Sequence, residues 1–366
     1  EVLEKLVAFQ KEKNVSFITG RGWDQNDWEV KEFPTKEKLD HLFPETPVAV
    51  RRVDGHAMLV NQAAIDLAGI TKNTKVSGGE IIVKDGKMTG VFIDAAMDLI
   101  QVPTPNRQTA IKGLIDAQKI AFSYGLTTVD DAGLEQSTIE LIDSLQQEDE
   151  LKIRMYAMVS ATQKNLDYYI NKGIVKTDRL HVRSFKIYGD GALGSRGAAM
   201  RKSYSDRHNH FGALIYSPER YREMAKQIAA SEYQMNTHAI GDSANTWILK
   251  TYEEFLKGEQ DRRWRIEHAQ IISKNDFSLF KNVLPSIQPT HATSDMYWAE
   301  DRIGKNRMKG AYAYKDLLNV YGKVALGTDF PVEQVNPFLT FFAAAVRKDT
   351  KGYPEGGFQI ENVLSR

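Results

Sequence analysis

Cysteine is absent from all 366 residues. Its absence excludes disulfides, thiolate metal ligands and a cysteine nucleophile, so any metal must be held by His, Asp, Glu or a modified Lys. An excess of one charge is missing too: 48 basic and 48 acidic residues cancel, with no block of like sign. That balance withholds the long-range attraction that nucleic acid or an anionic membrane surface needs, and a small or neutral ligand fits better. No apolar run approaches the roughly 20 residues that span a bilayer, and the opening residues lack the charged-then-apolar layout of a signal peptide. What is present is an ordinary globular composition, 42% apolar, in a chain long enough for one α/β barrel or two domains.

Short β-branched runs alternate with longer helical patterns. Strands are expected at 15–20, 126–131, 152–160, 184–189, 234–239, 264–270, 284–289 and 323–329. Helices are expected between them, at 107–124, 135–147, 163–173, 218–232, 243–257, 274–281, 310–320 and 337–347. Repeated strand-then-helix units predict a parallel sheet, and about eight of them predict a (β/α)8 TIM barrel. Residues 31–106 break the rhythm with prolines, glycines and the hairpin-like IIVKDGKMTGVF, and read as an insertion or lid; residues 1–30 and 107–366 are then the barrel. EVLEKLVAFQKEKN opens inside an amphipathic helix and ENVLSR stops inside another, so both ends read as cut.

On that scaffold Lys186, His238, His268 and Asp329 each fall at the C-terminal end of a strand. In a barrel these ends converge on one mouth, where residues distant in sequence can share a cation. Singly, each has a plainer reading: His238 and His268 as buried hydrogen-bonding or capping histidines, Asp329 as a helix cap, Lys186 as a snorkelling lysine. RRVDGHAMLVN gathers Arg51, Arg52, Asp54 and His56 near Trp23 and reads either as a polar wall with an aromatic floor for a substrate or as an ion-paired insertion.

GRGWDQNDW, PVAVRRVDGHAMLVN, KIYGDGALGSRGAAM, THAIGDSAN, RIEHAQII, SIQPTH and LGTDFPVEQVNP, in this order, resemble the YtcJ-like branch of the amidohydrolase superfamily. The resemblance runs from about residue 16 to residue 345. It implies a metal-dependent hydrolase with His238, His268 and Asp329 as ligands to a divalent ion, zinc first, and Lys186 where relatives often carry a carboxylated, metal-bridging lysine. Unmodified, Lys186 cannot ligate and serves as a cation near the substrate. The superfamily's His-x-His pair has no counterpart before residue 207; His208 and His210 have the spacing but lie in a polar loop. The metal set is therefore expected to be incomplete in this chain.

The mechanism implied is hydrolysis by metal-activated water, with Asp329 accepting the water proton and passing it to the leaving nitrogen. Trp23, Arg52, Asp54, His56, Asp190 and His291 are the expected substrate-binding residues, with Asp190 and His291 orienting substrate or stabilising an oxyanion. The expected substrate is a small amide, formamide or cyclic amide; no nucleic acid or membrane partner is expected, and a homodimer is left open. The other readings are an ester, lactone or phosphotriester hydrolase on the same barrel, and a metal-poor barrel kept for binding.

Overall fold

The computed structural model describes residues 1–257 and 262–365. The chain forms two compact units: the first from 1–104, 190–216 and 297–304, the second from 105–189, 217–296 and 305–366.

The first unit is built on five strands: β1 (Ile18–Trp23), β2 (Val48–Arg52), β3 (Ala57–Val60), β4 (Gly79–Lys84) and β5 (Lys87–Asp94). Their order across the sheet is β1-β2-β3-β5-β4, with β1 and β2 parallel and the other pairs antiparallel. Successive side chains point to opposite faces, and here both faces are apolar. Val48, Val50, Ala57, Leu59, Val91 and Ile93 pack on one side with Ile18, Trp23 and Leu6. Ala49, Met58, Val60 and Phe92 pack on the other with Ile65, Ile70 and Met97.

The segment at 15–20, expected as the first barrel strand, thus belongs to this sheet as β1. Ile18 pairs with Val48, and its side chain joins the apolar face that β2 and β3 need covered. This unit comprises residues 1–104 together with 190–216 and 297–304.

The second unit carries the parallel sheet that the alternation predicts. Its strands are β6 (Thr128–Leu134), β7 (Arg154–Ser160), the two-residue β8 (Val175–Lys176), β9 (Leu180–Tyr188), β10 (Gln234–Ala239), β11 (Arg265–His268), β12 (Leu284–Ile287) and β13 (Ala325–Leu326). The path is β13-β12-β11-β10-β9-β7-β6, seven strands all parallel, with β8 antiparallel on β9. Among the described residues β6 and β13 do not pair with each other, so the expected eight-stranded closure is not seen; the sheet is an open, curled parallel one in an α/β unit. Helices follow the strands at Gln136–Gln147, Gln163–Lys172, Pro218–Ala229 and Asp242–Leu256, close to their expected positions. The expected helix at 274–281 is a 3-10 helix, Lys274–Asn282.

Candidate metal centre

Register fixes where the strands of the second unit deliver their side chains. Ser160 pairs with Lys186, Lys186 with Asn236, Tyr188 with His238, and Ala239 with His268, so the C-terminal ends of β7, β9, β10 and β11 lie side by side. The His238 and His268 rings are 4.6 Å apart, edge to face, and the Tyr188 ring lies 5.7 Å from that of His238. His268 ends β11 with φ 74°, and Asp329, after β13, has φ 56°. Left-handed backbone is costly for a residue with a Cβ, and it turns both side chains off the line of their strands.

His291 comes from the helix Pro289–Asp295, which Pro289 opens directly after β12 and Gln288. It completes the one group of three metal-competent side chains found among the described residues. Ligand atoms of His268, His291 and Asp329 all lie within 4.8 Å of one another. The rings of His268 and His291 stack at 5.9 Å.

The hydrogen bonds assign protons. His268 Nδ1 lies 2.7 Å from Gln288 Oε1, an acceptor, so Nδ1 carries the hydrogen and Nε2 keeps a lone pair. Burial pushes the His268 pKa down to about 4, and Lys186 and His291 add to the effect, so the ring is neutral at ordinary pH. His291 behaves oppositely. Burial disfavours its charge, but its Nε2 faces Asp329 Oδ2 at 3.3 Å and its Nδ1 faces Glu333 Oε1 at 3.0 Å, and the two carboxylates raise its pKa well above the ordinary value. Asp329 is held well below the usual carboxylate range: burial opposes this, and His291's hydrogen bond, with His268, His291 and Lys186 around it, outweighs burial.

Lys186 is 5% exposed. Its Nζ sits over the Tyr188 ring, 4.6 Å from the centroid. All four strand-end residues singled out in the sequence are thus in the second unit, Lys186, His238 and His268 on the adjacent strands β9, β10 and β11, and Asp329 after β13, with β12 between. Three partners escaped the sequence reading: Gln288, Glu333 and Tyr188. Glu333 stands four residues after Asp329 in LGTDFPVEQVNP, and that proximity was the only available signal.

The remaining residues singled out lie in the first unit. Trp23 is 4% exposed, donates Nε1 to Val50 O at 2.8 Å and stacks on Trp28. Arg52, 2% exposed, is ion-paired with Asp24 and Asp54 and donates Nε to Gln25 Oε1 at 2.8 Å. The Arg52 guanidinium is thus held by ion pairs within the first unit. His56 Nδ1 faces Asp94 Oδ1 at 2.7 Å, and its backbone N–H donates to Asp54 at 3.0 Å. Asp190 is fully buried and accepts from Ala199 N at 2.8 Å. His208 and His210 also belong to this unit, and His210 Nε2 lies 2.8 Å from Arg196 O, so the pair does not stand in for a strand-end His-x-His.

The comparisons with known proteins agree with this geometry. Residues 1–366 match the amidohydrolase family. LONG AFTER FAR-RED 3 of Arabidopsis thaliana is 32% identical, with 93% of this chain aligned to 62% of that protein. The putative amidohydrolase YtcJ of Bacillus subtilis is 30% identical, over 91% of this chain and 65% of that one. The chain therefore spans a little under two thirds of the length of these two relatives. An uncharacterized metal-dependent hydrolase from Pyrococcus horikoshii superposes with TM-score 0.74 at 26% identity, covering 99% of this chain and 72% of that one. A family match over residues 1–366, two relatives at 30% identity or more, and a curled parallel sheet whose strand ends gather histidines and a carboxylate place this chain in the amidohydrolase family.

Proposed function

We propose that the second unit carries the catalytic residues of a metal-dependent hydrolase acting on the C–N bond of a small amide, formamide or cyclic amide. The observation that carries this reading is the group His268, His291 and Asp329, with His238 packed against it. The donor chemistry fits a divalent cation. His268 offers a neutral ring with its Nε2 lone pair preserved by Gln288, and Asp329 offers a carboxylate that stays ionised. Two imidazoles and a carboxylate suit zinc. His238, His268 and Asp329 would hold it, and His291, with both nitrogens turned to carboxylates, holds Asp329 in place instead. Lys186 would join the set only as a carbamate.

When bound, such a cation lowers the pKa of a water and polarises a carbonyl. The chain's own residues handle the protons. Asp329 accepts one from the attacking water and returns it to the leaving nitrogen, and His291 keeps its second carboxylate oxygen aligned. The anionic tail of the relay is Glu333, which fixes the far side of the His291 ring.

The test is metal content per chain together with the rate on a panel of formamides, acetamides and cyclic amides, for the protein and for His268→Ala. No His-x-His pair joins the set, but three protein ligands are what a catalytic zinc takes, so bound zinc and amide turnover, both lost in the variant, are expected. Stoichiometric metal with turnover of esters or phosphotriesters and none of amides would overturn the C–N assignment. Absence of metal under loading would overturn the hydrolase reading itself.

A further inference from the structure

Resting on the metal-dependent hydrolase reading above, we propose that Tyr312 and Tyr314 are positioning residues for the metal centre. The Tyr314 hydroxyl aims His268 through Gln288, and the Tyr312 hydroxyl holds the helix of His291 through Asp295.

The turn that carries His268 needs support. His268 and Ala269 leave β11 with successive φ values of 74° and 42°, and Tyr312, bonded to the residue that follows them, has φ 54°. Left-handed backbone is strained for residues with a Cβ and persists only where neighbours over-determine it. The segment 310–314 supplies those neighbours. Tyr312 N donates to Gln270 O at 2.7 Å, Ile272 N donates to Gly310 O at 2.8 Å, and Ala311 bridges Ile271 antiparallel. The two backbones approach so closely that a Cβ on Gly310 would come to 2.0 Å from Ile272 O.

The tyrosine hydroxyls carry this support to the two histidines. Tyr314 is buried and donates Oη to Gln288 O at 3.1 Å. The same carbonyl accepts from His291 N at 3.0 Å, and the Gln288 side chain accepts from His268 Nδ1 at 2.7 Å. One hydroxyl therefore fixes the residue that sets the His268 tautomer. Tyr312, also buried, donates Oη to Asp295 Oδ2 at 2.7 Å and accepts from Gln270 Nε2 at 3.1 Å. Gln270 Nε2 closes the triangle on Asp295 Oδ2 at 3.3 Å. Asp295 ends the helix Pro289–Asp295 one turn after His291, so the triangle ties the exit of β11 to the helix whose histidine holds Asp329.

The rings themselves are anchored by other groups. The Arg347 guanidinium lies 5.3 Å from the centre of the Tyr314 ring, and Phe358 packs edge-on against Tyr312 at 6.3 Å. Loss of a hydroxyl alone leaves that packing in place.

The experiment compares Tyr312→Phe and Tyr314→Phe with Tyr233→Phe, which removes another buried hydroxyl of this unit, one bonded to Gly173 O at 2.5 Å just before β10 begins. Three quantities are read: zinc affinity by chelator competition, kcat and KM on the amide of the panel that turns over fastest, and the ring nitrogen NMR shifts of His268 and His291 in metal-free protein. Tyr314→Phe should weaken zinc binding about tenfold and mix the two tautomers of His268. Tyr312→Phe should lower kcat about tenfold at little-changed KM and zinc affinity, and should shift the His291 ring signals. Tyr233→Phe should lose stability as the others do and move none of the three. If the Tyr312 and Tyr314 variants change nothing beyond what Tyr233→Phe changes, both hydroxyls serve stability alone and the proposal falls. If wild type takes up no zinc, or hydrolyses no amide, the hydrolase reading falls separately, and the metal-free ring shifts decide. His268 altered by Tyr314→Phe and His291 altered by Tyr312→Phe then uphold the positioning roles, and unaltered rings overturn them.

Discussion

Individual side chains in this protein are set by their second neighbours. Gln288 accepts from His268 Nδ1 and so decides which ring nitrogen faces the centre. Gln288→Leu should fold and yet lose about 10–100-fold in zinc affinity, as removal of such supporting groups does elsewhere; chelator competition measures it, and unchanged affinity would mean that the packing of β11 alone aims the ring. In the first unit the equivalent lesson is Asp206, which binds the guanidinium groups of Arg196 and the buried Arg302. Burial pushes the Asp206 carboxyl up, but the Arg196 hydrogen bond and the charges of Arg302 and Arg196 more than reverse this and leave it below its ordinary value. A carboxyl lowered on folding stabilises the protein above its unfolded pKa, and the contribution fades as pH falls through the folded one. Asp206→Asn strands a buried arginine, and should cost about 3–5 kcal/mol near neutral pH. Urea unfolding should show that cost shrinking as pH falls below the ordinary carboxylate range and wild-type Asp206 protonates in its turn; an equal cost in acid and at neutral pH would assign the loss to packing.

Among the elements, what was legible followed from period. Strands and helices of the second unit stand within a few residues of their expected places because alternation of β-branched runs with amphipathic helices is a local property of the chain. The four strand-end residues were legible for the same reason. β1 was misplaced because ITGRGW carries no mark of which sheet it will join; that depends on Val48 and Val50, some thirty residues on, offering it a parallel edge. His291 was singled out as a substrate-binding residue, and its contact with Asp329, 38 residues away in sequence, was not legible. Asp94 was not noticed at all. It ends β5 with φ 49°, under the glycines of KIYGDGALGSRGAAM, and a Cβ at Gly191 or at Gly197 would come to 2.0 Å from its Oδ2. Those glycines are there for clearance. Gly191→Ala and Gly197→Ala should each destabilise the first unit by about 1–3 kcal/mol, read by denaturant unfolding. Substitutions without effect would mean that the Asp94 carboxylate can swing away from His56 freely.

At the scale of the whole molecule, the two units need not share one stability. A cation held by His238, His268 and Asp329 binds only the folded second unit, so zinc at about 100 times its Kd should add about 2.7 kcal/mol there, with the chelated protein returning to its starting midpoint. His268→Ala should abolish that shift. Calorimetry in which zinc raises the single or the upper transition by nothing would show that the cluster does not take the ion. The left-handed backbone at His268 and Asp329 has a further consequence. Both positions are ones that glycine would occupy at less strain, so His268→Gly should yield a more stable metal-free protein than His268→Ala, by about 1 kcal/mol. Random mutagenesis selected for thermal endurance alone should then drift toward glycine at these two sites, trading away reactivity for robustness, and only a simultaneous screen for turnover would hold the histidine and the aspartate where they are.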